Sequence, residues 1–178
     1  FDVCIVGAGP VGLTLALALS RRGVRSVLVE RDLAPGPWPK MARCNARTME
    51  MYRQCGVEAA IRAAGLPPER GRLIIWSRTL AGEEIERRVA WRATAESHAV
   101  SPVRNCLCAQ DDLEPVLRHY AETLGAGELR FSTELQDVTQ DADGVTATLL
   151  DRTSGGTTRV RAHYQQRPDM VREALIEG

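Results

Sequence analysis

The stretch that decides the fold covers residues 2–30 and reads DVCIVGAGPVGLTLALALSRRGVRSVLVE. Residues 2–6 form a short apolar run that ends on glycine, which predicts a buried strand. Residues 10–22 predict a buried helix, because leucines and alanines fill the segment and Gly23 follows it. Residues 25–30 predict a second strand. A strand, a glycine turn, a helix and a strand within about 30 residues make a βαβ unit, whose strands we expect to be parallel.

The turn between the first strand and the helix is Gly7-Ala8-Gly9-Pro10-Val11-Gly12. Gly7 provides the free φ of a tight turn, Gly9 lets backbone amides approach a pyrophosphate, and Gly12 lets the helix pack close to the sheet. The positive end of the helix then faces the pyrophosphate. Glu30 ends the second strand, where an acid accepts ribose hydroxyls and repels a 2′-phosphate. The pattern therefore predicts a dinucleotide site that disfavours NADP.

Composition and charge exclude several other classes of protein. The chain has 178 residues, enough for one sizeable core. Its 23 basic side chains balance 23 acidic ones, so neither nucleic acid nor an anionic membrane is expected as a partner. No apolar run reaches the roughly 18 residues of a membrane span, and no signal peptide precedes Phe1. We expect a cytoplasmic protein and, since the chain starts within a strand and without Met, a piece of a longer one.

The cysteines indicate neither a disulfide framework nor a metal site. Their number is odd and their spacing matches no framework: Cys4, Cys44, Cys55, Cys106 and Cys108. Cys106 and Cys108 flank a leucine, but no histidine lies at a ligand spacing from them. We therefore predict reduced thiols and no metal.

The rest of the chain alternates helices and strands after a loop at residues 32–39. One helix is predicted from the cap Asn45 to a stop before Gly56, with Met49, Met51 and Tyr52 facing inward. Further helices are predicted at 57–64, at 170–176, and after a cap at Asp111 or Asp112 as far as 124. Predicted strands cover residues 73–76, 85–91, 128–131, 135–140, 145–151 and 157–162. The fold class is α/β: a Rossmann-like domain whose parallel sheet contains the βαβ unit, plus added antiparallel strands.

Two further blocks of sequence separate FAD from NAD. The first comprises ER at 30–31, WPKM at 38–41, NARTME at 45–50 and RQCGV at 53–57; the second comprises SPVR at 101–104 and CAQDDLEPVL at 108–117. With the glycine turn, these blocks resemble the flavin-dependent aromatic hydroxylases. Those are single-component FAD monooxygenases of the p-hydroxybenzoate hydroxylase type, and the likeness is strongest to relatives that modify bacterial aromatic polyketides. The resemblance covers residues 2–164.

The resemblance implies a cofactor contact for several residues. The glycine turn, with Pro10 and Val11 inside it, and Glu30 would hold the ADP half of FAD, and Arg31 would lie beside the adenosine. Lys40 stands where many members have an arginine that reaches the cofactor. Lysine keeps the charge but loses the bidentate fork, so we expect a looser contact.

On the flavin side, the resemblance implies that Arg104 and Gln110 face the ribityl chain. Arg47 either pairs locally with Glu50, which we favour, or reaches the cofactor. The resemblance also implies that residues 71–100 include strands on the side of a substrate domain. No residue is assigned to catalysis.

The resemblance further implies a reaction in which NAD(P)H reduces the flavin and the flavin uses O2 to hydroxylate an aromatic small molecule. The chain departs from the family pattern after residue 164. An Asp-Gly element expected there is missing, since no glycine follows Asp169. The later Gly-Asp motif lies beyond this length. We therefore expect the N-terminal portion of a monooxygenase, or a defective variant, that binds FAD weakly by itself.

Three alternatives remain open from the sequence. An NAD-dependent dehydrogenase would bind NADH tightly and show no flavin absorption. A non-catalytic nucleotide-binding module would bind FAD without substrate-stimulated oxidation of NADPH. A purely structural fragment would leave the glycine turn empty in the presence of FAD.

Overall fold

The computed structural model describes residues 1–34, 36, 39–70, 73–89, 100–125 and 127–166. The chain divides into two compact units, one comprising Phe1–Pro39 with Glu114–Gly178 and the other Lys40–Leu113. The predicted helix at 170–176, the end of the predicted strand at 85–91, and Asp169 lie outside the described residues.

The first unit begins with the predicted βαβ unit. Strand β1 is Val3–Val6, helix α1 is Pro10–Ser20 and strand β2 is Ser26–Val29. The two strands pair in parallel, as predicted. Helix α1 starts with proline at a position where a missing N–H costs nothing. The prediction of a buried helix is wrong at Val11, whose side chain is 67% exposed.

Two more strands complete a parallel sheet. Strand β7 (Glu128–Arg130) pairs with β2, and strand β11 (Tyr164–Gln166) pairs with β1, which gives the order β11-β1-β2-β7. The sequence did not predict β11. Its residues are polar, and pairing of its backbone with β1 makes it a strand. This outcome is an effect of tertiary context that a local pattern does not contain.

An antiparallel sheet packs on the parallel one. Strands β8 (Thr133–Asp141), β9 (Gly144–Asp151) and β10 (Thr157–Ala162) are ordered β10-β9-β8. Alternate residues of β9 are buried, as expected for a sheet with one face in the core. The shared core contains Cys4, Val27, Val29, Val145, Ala147, Leu149, Val160 and Ala162. The predicted antiparallel strands are thus confirmed, and they cover one face of the parallel sheet.

The second unit contains short elements. They are strand β3 (Arg43–Cys44), helices α2 (Ala46–Cys55) and α3 (Glu58–Ala64), strands β4 (Leu73–Ser77), β5 (Glu84–Val89) and β6 (Cys106–Leu107), and the start of helix α4 (Gln110–Thr123). Strands β3 and β6 pair antiparallel, and so do β4 and β5. The helices predicted at 45–55 and 57–64 are present as α2 and α3, and β4 and β5 match the predicted strands as far as the described residues extend. The sequence did not predict the short strands β3 and β6.

Helix α2 follows the predicted start and stop signals. The Asn45 side chain accepts a hydrogen bond from the Thr48 amide at 2.8 Å, and Gly56 ends the helix in the left-handed region with a φ of 79°. Met49 and Tyr52 are buried, as predicted. Met51 is 38% exposed, so its predicted inward orientation is wrong. Helical geometry places residues three apart on one face and turns the residue between them away.

Helix α4 begins earlier than the sequence indicated. Its first residue is Gln110, and the Leu113 amide donates to the Ala109 carbonyl oxygen at 2.9 Å. Asp111 and Asp112 therefore lie inside the first turn and do not cap the helix. Acidic residues are favourable in a first turn because they face the positive end of the helix dipole.

All five cysteines are free thiols with buried side chains. Burial raises the pKa of the Cys44 thiol to about 11 and that of Cys108 to about 12, and it raises the pKa of Cys4 and Cys106. In the part of the chain that the structure describes, no helix is long and apolar enough to cross a membrane. The same residues contain no group of three His, Cys, Asp or Glu placed to hold a metal ion.

Gly12 sets the distance between α1 and the turn that follows β1. A Cβ on Gly12 would lie 1.9 Å from the Gly7 carbonyl oxygen and 3.4 Å from a methyl carbon of Ile5. The first of these atoms is backbone, so it cannot move aside without displacing the turn. Helix α1 can occupy its position only because residue 12 has no side chain.

The thiols should be protected in the native chain. A raised pKa lowers the thiolate fraction at neutral and mildly alkaline pH, and the thiolate is the reactive form. Titration with Ellman's reagent at about pH 8 should modify fewer than one of the five cysteines in the time that suffices for all of them in denaturant. Rapid modification of Cys44 or Cys108 in the native chain would contradict their burial.

Substitution of Gly12 should disrupt the fold. Gly12→Ala forces the turn or the helix to shift, and we expect a loss of at least about 3 kcal/mol and a fall in Tm of roughly 6–12 °C. Gly36→Ala is the matched control, because a Cβ there would meet no described atom within 4 Å. Thermal unfolding followed by circular dichroism measures both variants. Equal Tm values for the two would refute the steric role of Gly12.

Candidate dinucleotide site

The glycine turn lies at the carboxyl end of the parallel strand β1. The neighbours of β1 in the sheet are β2 on one side and β11 on the other. From β1 the chain passes through α1 to β2 on one side of β1, whereas β11 pairs with the other side. The direction in which strands are added therefore reverses beside β1. Open α/β sheets bind ligands outside the carboxyl ends of the strands at such a reversal point. The position of the turn in the sheet is therefore that of a ligand site.

Gly7 has the conformation that the sequence predicted. Its φ is 98°, in the region that favours glycine, and its amide donates to the Val29 carbonyl oxygen at 2.8 Å. This hydrogen bond joins the turn to the end of β2. A side chain at residue 7 would strain the backbone, so Gly7 serves the turn itself.

Gly9 has a different reason for being glycine. Its φ of −71° and ψ of −179° are extended values that any residue adopts. The nearest atom to a Cβ built on Gly9 would be the Glu114 Oε1 at 3.8 Å, an ordinary contact distance. Neither backbone strain nor packing among the described residues excludes a side chain here. The described residues therefore give no internal reason for glycine at residue 9, and the close approach of a ligand stays the reason that the sequence predicts.

The start of α1 offers backbone amides to an anion. Gly9 occupies the N-cap position and has no side chain with which to cap the helix. The amides of Val11 and Gly12 belong to the first turn, which has no acceptor within a helix. The sequence of that turn, residues 10–13, contains no acidic residue. An anion such as a pyrophosphate is favoured at this position by the amides and by the helix dipole.

Glu30 is fixed in place by four hydrogen bonds. Its Oε2 accepts from the Ala8 amide at 2.7 Å, and its Oε1 accepts from the Asp32 amide at 3.0 Å. Its backbone N–H donates to the Arg130 carbonyl at 2.8 Å, and its carbonyl accepts from the Thr133 amide at 2.8 Å. A carboxylate has about four acceptor sites, so each oxygen keeps capacity for one more donor. Glu30 can therefore accept ribose hydroxyls in an orientation that the protein has already set.

Glu114 lies beside the candidate site, and sequence reasoning did not single it out. It lies on α4, one turn after Gln110, and it is 7% exposed. Its Oε1 would lie 3.8 Å from a Cβ built on Gly9. A carboxylate beside the start of α1 is stabilised by the helix dipole. The sequence did contain a signal for Glu114, because this acidic residue occupies a core-facing position of the predicted amphipathic helix.

Arg31 follows Glu30 and is largely exposed. Its Nε lies 3.5 Å from Asp32 Oδ2, and its side chain is 67% exposed. The guanidinium is therefore available at the edge of the site that continues from Glu30. The structure brings together the predicted residues Gly7, Gly9, Pro10, Val11, Gly12, Glu30 and Arg31 within the first unit.

The other three predicted residues belong to the second unit. Gln110 Oε1 accepts from the Lys40 amide at 2.8 Å, and the Gln110 amide donates to the Met41 carbonyl at 3.0 Å. Gln110 therefore fixes the backbone of the loop that carries Lys40, whose side chain is exposed. The Arg104 side chain is also exposed, and its carbonyl accepts from Arg62 Nη2 at 2.7 Å.

Arg47 makes the local pair that the sequence favoured. Its Nη1 lies 2.7 Å from Glu50 Oε2, and the other oxygen of Glu50 accepts from the Ser101 hydroxyl at 2.7 Å. The Arg47 guanidinium, followed by the Ser101 hydroxyl, lowers the pKa of the Glu50 carboxyl. Arg47 thus has a structural partner within the second unit.

Comparisons with known proteins agree with this geometry. Residues 1–165 match the model of the FAD binding domain family. A protein of Streptomyces olivaceus named tetracenomycin B2 monooxygenase-dioxygenase is 38% identical over 99% of this chain and 35% of its own length. Aklavinone 12-hydroxylase of Streptomyces peucetius is 37% identical over 99% of this chain and 37% of its own length.

Solved structures give the same result. The flavin-dependent monooxygenase PieE, in complex with FAD and substrate, superposes with a TM-score of 0.83 at 36% identity, over 92% of this chain and 29% of that one. Aklavinone-11 hydroxylase, in complex with FAD and aklavinone, gives a TM-score of 0.78 at 34% identity, over 98% of this chain and 34% of that one. The predicted Rossmann-like fold is thereby confirmed.

The chain spans about a third of the length of the relatives that it matches. The family match covers residues 1–165, a range that contains the glycine turn, Glu30 and the blocks around Lys40 and Gln110. The chain therefore belongs to the FAD binding domain family, among the domains of FAD-dependent aromatic hydroxylases.

Proposed function

We propose that this chain is the FAD-binding portion of a monooxygenase that hydroxylates an aromatic polyketide with NAD(P)H and O2. The observation that carries the proposal is Gly9 at the start of α1, because neither its backbone conformation nor its packing requires glycine there. The buried free thiols favour a reducing compartment, so we place the reaction in the cytoplasm.

The substrate class rests on the relatives. Those that share most of this chain include proteins named for tetracenomycin and aklavinone, and one solved relative holds aklavinone. Other relatives are named for phenol and dichlorophenol. All of these names denote an aromatic ring. Two Streptomyces proteins named for polyketide hydroxylation are 43% and 39% identical to this chain, whereas the relatives named for dichlorophenol and phenol are 38% and 34% identical. We therefore favour a polycyclic aromatic substrate over a simple phenol.

The bound flavin supplies the redox chemistry, and the protein binds and orients it. In our proposal, the amides of Val11 and Gly12 contact the pyrophosphate, and Gly9 lets it come close. Glu30 accepts the ribose hydroxyls with the lone pairs left by the Ala8 and Asp32 amides. Its charge disfavours a 2′-phosphate at this position, so NADPH would not compete for the FAD site.

On the flavin side, we propose contacts from Lys40, Arg104 and Gln110. Gln110 already holds the backbone at Lys40, so one residue would organise the loop that approaches the cofactor. The exposed Arg104 and Lys40 side chains carry positive charge that suits the phosphates or the reduced flavin. These contacts stabilise bound FAD, and they leave the hydroxylation step to the flavin.

FAD binding is the first test. Titration of the purified chain with FAD should quench flavin fluorescence, and ADP should compete, because the residues proposed here hold the ADP half. NADH contains the same ADP half, so it should compete about as well as ADP and should bind less tightly than FAD. Tight NADH binding without FAD binding would instead support an NAD-dependent dehydrogenase.

Hydroxylation is tested with the complete protein that contains this chain. Addition of an aromatic polyketide should increase NAD(P)H consumption, and the product should gain one oxygen atom from labelled O2. An FAD-bound protein whose NAD(P)H oxidation does not respond to any such substrate would favour a non-catalytic flavin-binding module.

Gly9 and Gly12 should respond differently to alanine. Gly9→Ala places a methyl group 3.8 Å from Glu114 Oε1, an ordinary contact distance. The fold should therefore survive with a Tm lower by about 2–4 °C, as for an alanine N-cap. The same methyl group should block the pyrophosphate and weaken FAD binding at least about tenfold, a free-energy loss of about 1.4 kcal/mol. Unchanged FAD affinity in folded Gly9→Ala would remove the observation on which the proposal rests.

A further inference from the structure

The loop that follows Glu30 is held by two arginines that are distant in sequence. Arg152 lies in the turn between β9 and β10, and Arg118 lies on α4. Each donates to a backbone carbonyl oxygen of residues 31–33, which we call the adenosine loop. The adenosine loop, Arg118 and Arg152 all belong to the first unit.

Arg152 contacts two consecutive residues of the adenosine loop. Its Nη1 donates to the Arg31 carbonyl oxygen at 3.2 Å and to Asp32 Oδ1 at 3.2 Å. Its Nε lies 3.8 Å from Glu134 Oε2, and its backbone amide donates to the Ser132 carbonyl at 2.8 Å. The Arg152 backbone is thus held by Ser132, and its guanidinium links Glu134 to Asp32 and to the Arg31 carbonyl oxygen.

Arg118 holds the next residue of the loop. Its Nη1 donates to the Leu33 carbonyl oxygen at 3.0 Å, and its guanidinium carbon lies 3.7 Å from the centre of the Phe131 ring. Its Nε lies 2.8 Å from Glu122 Oε1. A planar guanidinium can stack on an aromatic ring and donate in its own plane at the same time, which lysine cannot do.

These contacts lead back to the Glu30 carboxylate. The Asp32 amide donates to Glu30 Oε1, so the position of Asp32 determines one of the two hydrogen bonds that orient the carboxylate. Arg152 holds the side chain of Asp32, and Arg118 holds the backbone carbonyl of Leu33, the next residue. Without them, Glu30 would keep its bond to Ala8 and could rotate about it.

We propose that Arg152 and Arg118 are positioning residues for the adenosine half of FAD. They act through the adenosine loop: they hold Arg31 at the edge of the site and keep Glu30 oriented toward the ribose. This inference rests on the proposed FAD binding of the chain. Preorganisation of this kind increases affinity because the loop and the carboxylate lose little freedom when the ligand binds.

The contact between Arg152 and Asp32 is partly exposed to solvent. Its loss can therefore weaken ligand binding without a large effect on folding. Arg152 and Asp32 side chains are 46% and 53% exposed. Exposed ion pairs contribute little to global stability. Removal of the Arg152 side chain should therefore leave the fold intact while it loosens the adenosine loop.

The test compares Arg152→Ala with Arg159→Ala, an exposed arginine of β10. For Arg152→Ala, we expect Kd for FAD and for ADP to rise about five- to tenfold, with Tm of the ligand-free chain nearly unchanged. The Asp32 amide should exchange hydrogen faster in the ligand-free variant. Arg159→Ala should match the unaltered chain in all three measurements. Arg118→Ala should weaken FAD and ADP binding in the same way as Arg152→Ala.

Several results would overturn the inference. Normal FAD and ADP affinity in Arg152→Ala would do so, as would an unchanged exchange rate of the Asp32 amide. An equal loss of affinity in Arg159→Ala would show a general effect of surface charge. If the unaltered chain binds neither FAD nor ADP, the proposed function fails and the inference fails with it. That result is distinguishable because it appears before any substitution is made.

Discussion

The contact between residues 7 and 12 is the constraint on which this structure depends. Helix α1 packs so close to the turn after β1 that a single methyl group on Gly12 would overlap the Gly7 carbonyl oxygen. That approach sets the direction of the helix and brings its first amides to the carboxyl end of the sheet. Gly9 has no such packing requirement, since a Cβ there would meet Glu114 Oε1 at 3.8 Å. The two glycines thus differ: packing requires Gly12, and we propose that the ligand requires Gly9.

Glu30 joins the local and the distant parts of the site. Its position at the end of β2 follows from a short sequence pattern, but its orientation depends on residues far along the chain. The β7–β8 corner holds its backbone, and the arginines of α4 and of the β9–β10 turn hold the loop after it. The antiparallel sheet therefore does more than cover the core, because it also supports the edge of the dinucleotide site.

The sequence was sufficient where the physics is local. The βαβ unit, the Asn45 cap, the Gly56 stop and the Arg47–Glu50 pair each depend on residues within one element or turn. It was insufficient where partners are distant. Strand β11 has polar side chains and exists because β1 offers it an edge. The contacts of Arg118, Arg152 and Glu114 join elements that are distant in sequence, and no local pattern contains such contacts.

Strand β11 has a consequence for how the chain acquires its structure. Its partner β1 lies about 160 residues earlier, and Val3 pairs with Tyr164. Contacts between such distant residues form slowly, because a long loop must close before they contribute. During synthesis, one edge of β1 would stay unpaired until β11 had been made, although the glycine turn beside it was complete much earlier. An unpaired strand edge can add strands from other chains. The free edge of β1 is therefore exposed to other chains until β11 pairs with it.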